Sequence, residues 1–456
     1  MRIFRWLALA AALVTAHPAL AQSAPREVVS PGGIAFWLLP DASAPTATLA
    51  FAWRDGISLL QPGKQALGAV VPRMLMAGAG GETEGIFEEG LRDEQVRLSF
   101  ALGSARLLGQ LSAPAETFPR AAERLKQVLT SPNYAANALN RIKKSIASEI
   151  RQREENANRI ASRALWSVLA GDDAGYFMSS SDWTPQLMAI APDDLRQWHA
   201  ASLARDNLLI VAVGNLSESE FGAAIDTGFG GLPTKATIPG RAPVPPDLRG
   251  KGRTIVVLHE TAQSVILAAG ASGWRRGPDE EKLAMANSVF GGGGFASRLT
   301  RSIREGLGAT YGASSGLVSN GPGPFVLAVQ TSVANDKVKA ALDAIRTQYS
   351  VFLRDGITQA ELDDVRDRAI NENQTAMTKQ GSVASALRGA LIFHQASNYL
   401  ARFEARMRFI TLDDINTALR DDMPKLPLTV VVVAPSAEGL GADCVVDAVE
   451  KVAECR

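Results

Sequence analysis

The chain has 456 residues, with 47 Lys and Arg balancing 47 Asp and Glu, four histidines and two cysteines. That balance excludes a protein built around a basic nucleic-acid face or a polybasic membrane patch. No stretch beyond the N-terminus reaches the roughly 18 apolar residues that a membrane span needs.

The first 21 residues read as a secretory signal. Arg2 and Arg5 precede an apolar run, and Ala19-Leu20-Ala21 offers a small-residue cleavage site before Gln22. Removing them leaves 435 residues with 45 basic and 47 acidic side chains, a net charge of −2, and room for two ordinary domains. The expectation is an exported protein with no membrane span once the signal is gone. It would be periplasmic if the host is a Gram-negative bacterium.

Residues 22–231 form the first predicted domain. Short apolar strands, GIAFWLLP and TLAFAWR, lead into KQALGAVVPRMLMAGAGG (64–81), a helix that runs into glycines. The acidic stretch GETEGIFEEGLRDE (81–94) reads as a solvated helix face. A long helical stretch follows at about 134–169, and DNLLIVAVGNLSESEF (206–221) holds a buried-type strand. The Pro-rich segment LPTKATIPGRAPVPPDLRG (232–250) resists helix and central strand and reads as a linker. Residues 251–456 then repeat the order. Strands TIVVLHE and SVILAAG precede EEKLAMANSVFGGGG (280–294), a helix that again meets glycines. TYGASSGLVSN and PFVLAVQTSV form an antiparallel pair, helices occupy about 358–394, and LPLTVVVVAPSAEGL (426–440) closes the set. Corresponding features lie about 215–220 residues apart. The predicted fold is therefore α+β, two homologous domains, each a mainly antiparallel sheet packed with helices. Cys444 and Cys455 sit close enough in sequence for a disulfide staple near the C-terminus.

Gly291, Gly292, Gly293 and Gly294 raise the question of a phosphate loop. No Lys-Ser/Thr follows them, and they come after a helix rather than between strand and helix, so neither nucleotide fingerprint is met. A plain helix-to-helix turn fits them equally well, with Ser297 capping the next helix and Arg298, Arg301 and Arg304 on a solvated face. His199, His259 and His394 are too scattered for a zinc pair on one helical turn, and His259-Glu260 reads as a surface pair. No Gly-x-Ser-x-Gly elbow is present.

The duplicated halves, the linker and SVFGGGGFASRLTRSIREGLGATYGASS together resemble the pitrilysin/insulinase-type zinc metallopeptidases, in particular the branch similar to mitochondrial processing peptidase and bacterial two-subunit enzymes. The resemblance covers essentially the whole chain after the signal. It implies that Arg304 and Tyr311, seven residues apart behind Ser297-Arg298-Leu299, bind peptide and stabilise the transition state. It also implies that Gly291 to Gly294, Phe295 and Ser297 line the approach of an extended peptide. The family's His-x-x-Glu-His falls on Ala69, Pro72 and Arg73, and its third metal ligand falls on Glu149, so this chain carries no cofactor. The implied role is a non-catalytic subunit paired with a homologous chain that holds the zinc, acting together on unfolded peptides. A purely structural homologue, like the core proteins of respiratory complexes, and a stand-alone peptide-binding module are the alternatives.

Overall fold

The computed structural model describes residues 24–54, 66–103, 106–154, 156–170, 183–237, 252–271, 280–306, 308, 312–318, 325–425 and 427–455. The signal segment, most of the linker and Tyr311 lie outside the described residues. The first sheet contains β1 (Arg26–Val29), β2 (Ala35–Pro40), β3 (Thr46–Trp53), β4 (Arg97–Gly103), β5 (Arg106–Pro114) and β6 (Leu208–Gly214), in the order β1-β2-β6-β3-β5-β4. The second contains β7 (Thr254–Leu258), β8 (Ser264–Ala271), β9 (Ala313–Val318), β10 (Val326–Val333), β11 (Thr429–Ala434) and β12 (Cys444–Val446), in the order β12-β7-β11-β8-β10-β9. Without the edge strands β1 and β12, the two sheets follow the same path. Each is mixed, with β2–β6 parallel in the first and β7–β11 and β7–β12 parallel in the second. All other pairings are antiparallel, including β9 with β10 as expected.

The central strands are apolar throughout because both sheet faces are covered. All seven residues of β6 (LLIVAVG) and all six of β11 (TVVVVA) are buried. One face of each sheet packs on helices of its own half. Helix Phe118–Thr130, for example, directs Phe118, Ala121, Ala122, Leu125, Val128 and Leu129 inward at helical spacing. The other face is covered by a helix from the opposite half. Ala157–Ala170 places Ile160, Ala164, Leu165 and Leu169 on Ile255, Val265, Leu267 and Val431 of the second sheet. Gln380–Ile392 places Val383, Ala384, Leu387 and Ala390 on Trp37, Leu39, Val211 and Val213 of the first.

The helical stretches read as continuous are broken, and the breaks permit this exchange. The first is Ala136–Glu154 followed by Ala157–Ala170, and the second is Gln359–Ala376 followed by Gln380–Ile392. Side chains key each seam. Gln380 accepts from Thr46 Oγ1 at 2.6 Å and donates to Asp41 Oδ2 at 2.6 Å. Arg388 Nη1 donates to the Gly109 carbonyl at 2.8 Å, and Gln330 Nε2 to Asn158 Oδ1 at 2.8 Å.

The disulfide joins Cys444 in β12 to Cys455 at the end of a 3₁₀ turn, Val449–Cys455. Val452 and Cys455 bury themselves against the exchanged helix Ala157–Ala170. Among the described residues, no helix is long and apolar enough to cross a membrane.

Leu165 and Leu387 are almost fully buried, one in each exchanged helix. Leu165→Ala and Leu387→Ala should each cost about 2–5 kcal/mol. In urea unfolding followed by far-UV circular dichroism, each should shift one transition shared by both halves. A variant that loses only half of the signal would contradict the interdependence of the halves.

Candidate functional site

The first helix, Leu67–Leu75, buries Leu67, Val70, Val71, Met74 and Leu75. Spacing of three and four residues puts Ala69, Pro72 and Arg73 together on its remaining face, Ala69 and Pro72 half-buried and Arg73 exposed. The helix is shorter than its sequence suggested. It ends before Gly78, Gly80 and Gly81, whose φ values of 105°, 61° and 85° suit glycine and break the helical path. Helix Ala136–Glu154 packs alongside and delivers Glu149.

There the two chains of logic meet. Arg73 Nη1 and Nη2 donate to Glu149 Oε1 and Oε2 at 2.8 and 2.9 Å, a two-pronged fork. Ser145 Oγ adds a donor to the same carboxylate at 3.2 Å. The Glu149 hydrogen bonds raise the Arg73 pKa beyond its already high ordinary value. A guanidinium beside one carboxylate, with alanine and proline at the other positions, does not fit a zinc ion. Among the described residues, no group of three or more His, Cys, Asp or Glu could hold a metal.

The histidines have other work. His199 is buried; its Nε2 faces the Leu129 carbonyl at 2.8 Å, so that nitrogen must carry the proton. Its Nδ1 then accepts from the Tyr134 hydroxyl at 2.6 Å. Burial lowers the His199 pKa, against the opposing pull of the Leu129 carbonyl. His259 and Glu260 follow β7, half-buried and exposed respectively, and His394 holds a left-handed turn at φ 54°.

The glycine stretch is partly packed and partly open, with Gly292, Gly294 and Phe295 exposed. The helix Glu280–Asn287 continues as a π-turn, Ser288–Gly292, then as a 3₁₀ turn, Gly294–Ala296. A Cβ on Gly291 would stand 2.4 Å from Ser315 Oγ, so its bareness serves close packing on β9. Gly291 is buried. Gly292 and Gly293 are likewise crowded by Asn287 and Ser288, while Gly294 supplies a positive φ of 61°. Ser297 is also buried rather than offered to a peptide. Its hydroxyl donates to the Gly294 carbonyl and accepts from the Thr300 N–H, the helix cap expected of it.

The three arginines separate. Arg298 leaves the solvated face and forks onto Glu361 at 2.6 and 2.5 Å, while Arg368 Nη1 donates to the Gly293 carbonyl at 2.9 Å. Arg301 and Arg304 stay exposed, and the Arg304 guanidinium stacks 4.6 Å above the ring of Phe295, itself 68% exposed. The acidic helix Glu84–Asp93 keeps Glu88 and Glu89 in solvent, but Glu82 and Glu94 at its flanks clamp Arg124 at 2.7 and 2.9 Å. Sequence reasoning missed Glu361 and Arg368 as clamps. The Thr358-x-x-Glu361 spacing, unread in the sequence, is that of the capping box the structure contains, and it carries no hint of Arg298.

Residues 189–369 match the family model described as the peptidase M16 inactive domain. The "Non-peptidase homolog YmxG" of Helicobacter pylori is 24% identical over 328 residues, 71% of this chain and 73% of that protein. The crystal structure of a peptidase M16 inactive domain from Pseudomonas fluorescens has a TM-score of 0.80 at 20% identity, over 91% of this chain and 98% of that one. The periplasmic protease PqqL from Escherichia coli gives 0.77 at 14% identity, over 91% of this chain but 46% of the longer protein. The chain is thus similar to M16 peptidases over residues 189–369 and shares their fold along most of its length. Both the matching family model and the Helicobacter relative are described as lacking peptidase activity.

Two outcomes follow from these geometries. The triple variant Ala69→His/Pro72→Glu/Arg73→His should acquire one zinc per chain, measured by atomic absorption after dialysis, and Glu149→Gln added to it should lose that metal. Failure to bind zinc would argue against the placement of these four residues. At Glu361, burial raises the carboxyl pKa, but Arg298 and Thr358 outweigh it and hold the group down at about 2, against an ordinary 4.5. The carboxylate therefore adds stability above about pH 4.5 that is lost as the pH falls towards 2. Melting curves of Glu361→Gln should lie below wild type at neutral pH and converge with it across that window.

Proposed function

We propose that this chain is the substrate-binding, non-catalytic subunit of a periplasmic heterodimeric zinc metallopeptidase. Its partner is a homologous chain bearing His-x-x-Glu-His and the zinc, which supplies the hydrolytic chemistry. One observation carries the reading. The Arg73–Glu149 fork joins two positions that the resemblance assigns to metal ligands, which supports a chain without hydrolytic chemistry of its own that keeps an exposed Arg304. Stacking on Phe295 leaves the Arg304 edge facing outward, able to grip a backbone carbonyl of an extended peptide. Tyr311, assigned by its spacing from Arg304, would donate its hydroxyl to the carbonyl oxygen that gains charge. The peptide would add to an open sheet edge. Of the four terminal strands, β4 packs beside Leu67–Leu75 and β9 follows the Arg304 segment, which makes these two the candidates.

A second reading, a structural or peptide-binding homologue with no proteolytic role, draws support from the non-peptidase name of the Helicobacter relative.

Co-expression with a His-x-x-Glu-His homologue separates the two. A stable complex should form and cleave unfolded peptides, with activity abolished by chelator and absent from either chain alone. Arg304→Ala should reduce kcat/KM about 10²–10³-fold without dissociating the pair. An active pair indifferent to Arg304→Ala would remove its catalytic role, and failure to associate would favour the second reading.

A further inference from the structure

The second half carries a groove that none of this uses. Its volume is about 540 Å³, within the range of about 300–1,000 Å³ typical of small-molecule sites. Its floor is apolar, formed by Ala268, Ile345, Leu428 and Val430 where helix Val338–Asp355 leaves the sheet. The helix buries one stripe, Ile345, Tyr349 and Phe352, in the core. The neighbouring stripe turns Arg346, Ser350 and Arg354 to the groove, with Val351 behind them.

The two arginines are not equivalent. Arg354 forks onto its neighbour Asp355 with both bonds at 2.7 Å, which neutralises it. Arg346 is oriented by a neutral partner, its Nη2 donating to Oγ1 of the buried Thr254 at 2.9 Å. That threonine is itself fixed, because its N–H donates to Asp443 Oδ2 at 2.7 Å. The groove therefore has, at one end, a guanidinium positioned by a hydroxyl rather than by a direct ion pair. An apolar trough runs about 12 Å along the helix from Arg346 to Arg354.

We propose that this groove binds a small amphipathic carboxylate, with the carboxylate on Arg346 and an unbranched apolar body lying against Val351, Pro427 and Leu428. A guanidinium matches a carboxylate in shape and charge, and each buried methylene of the tail adds about 0.8 kcal/mol. The site is independent of the peptidase reading, since none of its residues belongs to the Arg73–Glu149 or Arg304 regions.

Octanoate is the probe, titrated into the full-length chain after signal removal by isothermal titration calorimetry. Octan-1-ol, of equal chain length and without charge, is the control. Octanoate should bind with one-to-one stoichiometry and at least tenfold more tightly than octan-1-ol, and Arg346→Gln should remove that advantage. Val351→Trp should fill the trough and abolish binding with an unchanged circular dichroism spectrum. If that variant does not fold, Ser350→Trp, at an exposed position, serves instead. No saturable binding, equal affinity for the alcohol, or wild-type affinity in Arg346→Gln or the folded tryptophan variant would each overturn the proposal.

Discussion

Each sheet of this protein is apolar on both faces, and its own half supplies cover for only one. That constraint shapes the molecule. The first half lends Ala157–Ala170 to the second sheet, and the second half lends Gln380–Ile392 to the first. Exposing either inner face would place rows of Val, Ile and Leu in water at about 25 cal/mol per Å². The halves must therefore fold as partners. Gln380, Arg388 and Gln330 then set the seam with hydrogen bonds that demand one register.

With the scaffold held so, the Arg73–Glu149 region sits on helices of the first half and the Arg304 region on the second. The energetics of the two regions differ. Arg73 and Glu149 are 42% and 34% exposed in their side chains, so their fork contributes little to stability, of the order of the 0–1 kcal/mol found for surface pairs. On the proposed reading its meaning is chemical: a fixed positive charge stands in for a metal ligand and neutralises the Glu149 carboxylate. The Arg298–Glu361 fork is 16% and 23% exposed, better shielded, and holds the turn that carries Arg304 onto helix Gln359–Ala376. The second half thus places its better-shielded ion pair beside the turn that carries Arg304.

Much of the fold was legible. The alternation of apolar strands, the repeat at about 215–220 residues and the linker define two like domains. The unbroken apolar runs of β6 and β11 signalled strands covered on both faces. What covers them was not legible, because a helix's apolar stripe does not say which sheet it meets. The helix breaks between Glu154 and Ala157 and between Ala376 and Gln380 lack proline, and only the need to swing onto the other sheet explains them. At the site, four degenerate positions could be placed by spacing, yet the union of Arg73 with Glu149, 76 residues apart, is a tertiary fact. The glycines form the helix-to-helix turn that their local sequence suggested. That Gly291 also serves the close approach of Ser315 is a tertiary fact that no spacing shows.

The central claim is that the metal belongs to the partner and not to this chain. Zinc counted by mass spectrometry in the purified, active assembly tests it most directly. The account predicts one zinc for each pair of chains, and none retained by this chain when the two are separated. One zinc held by this chain on its own, at one-to-one stoichiometry, would contradict it.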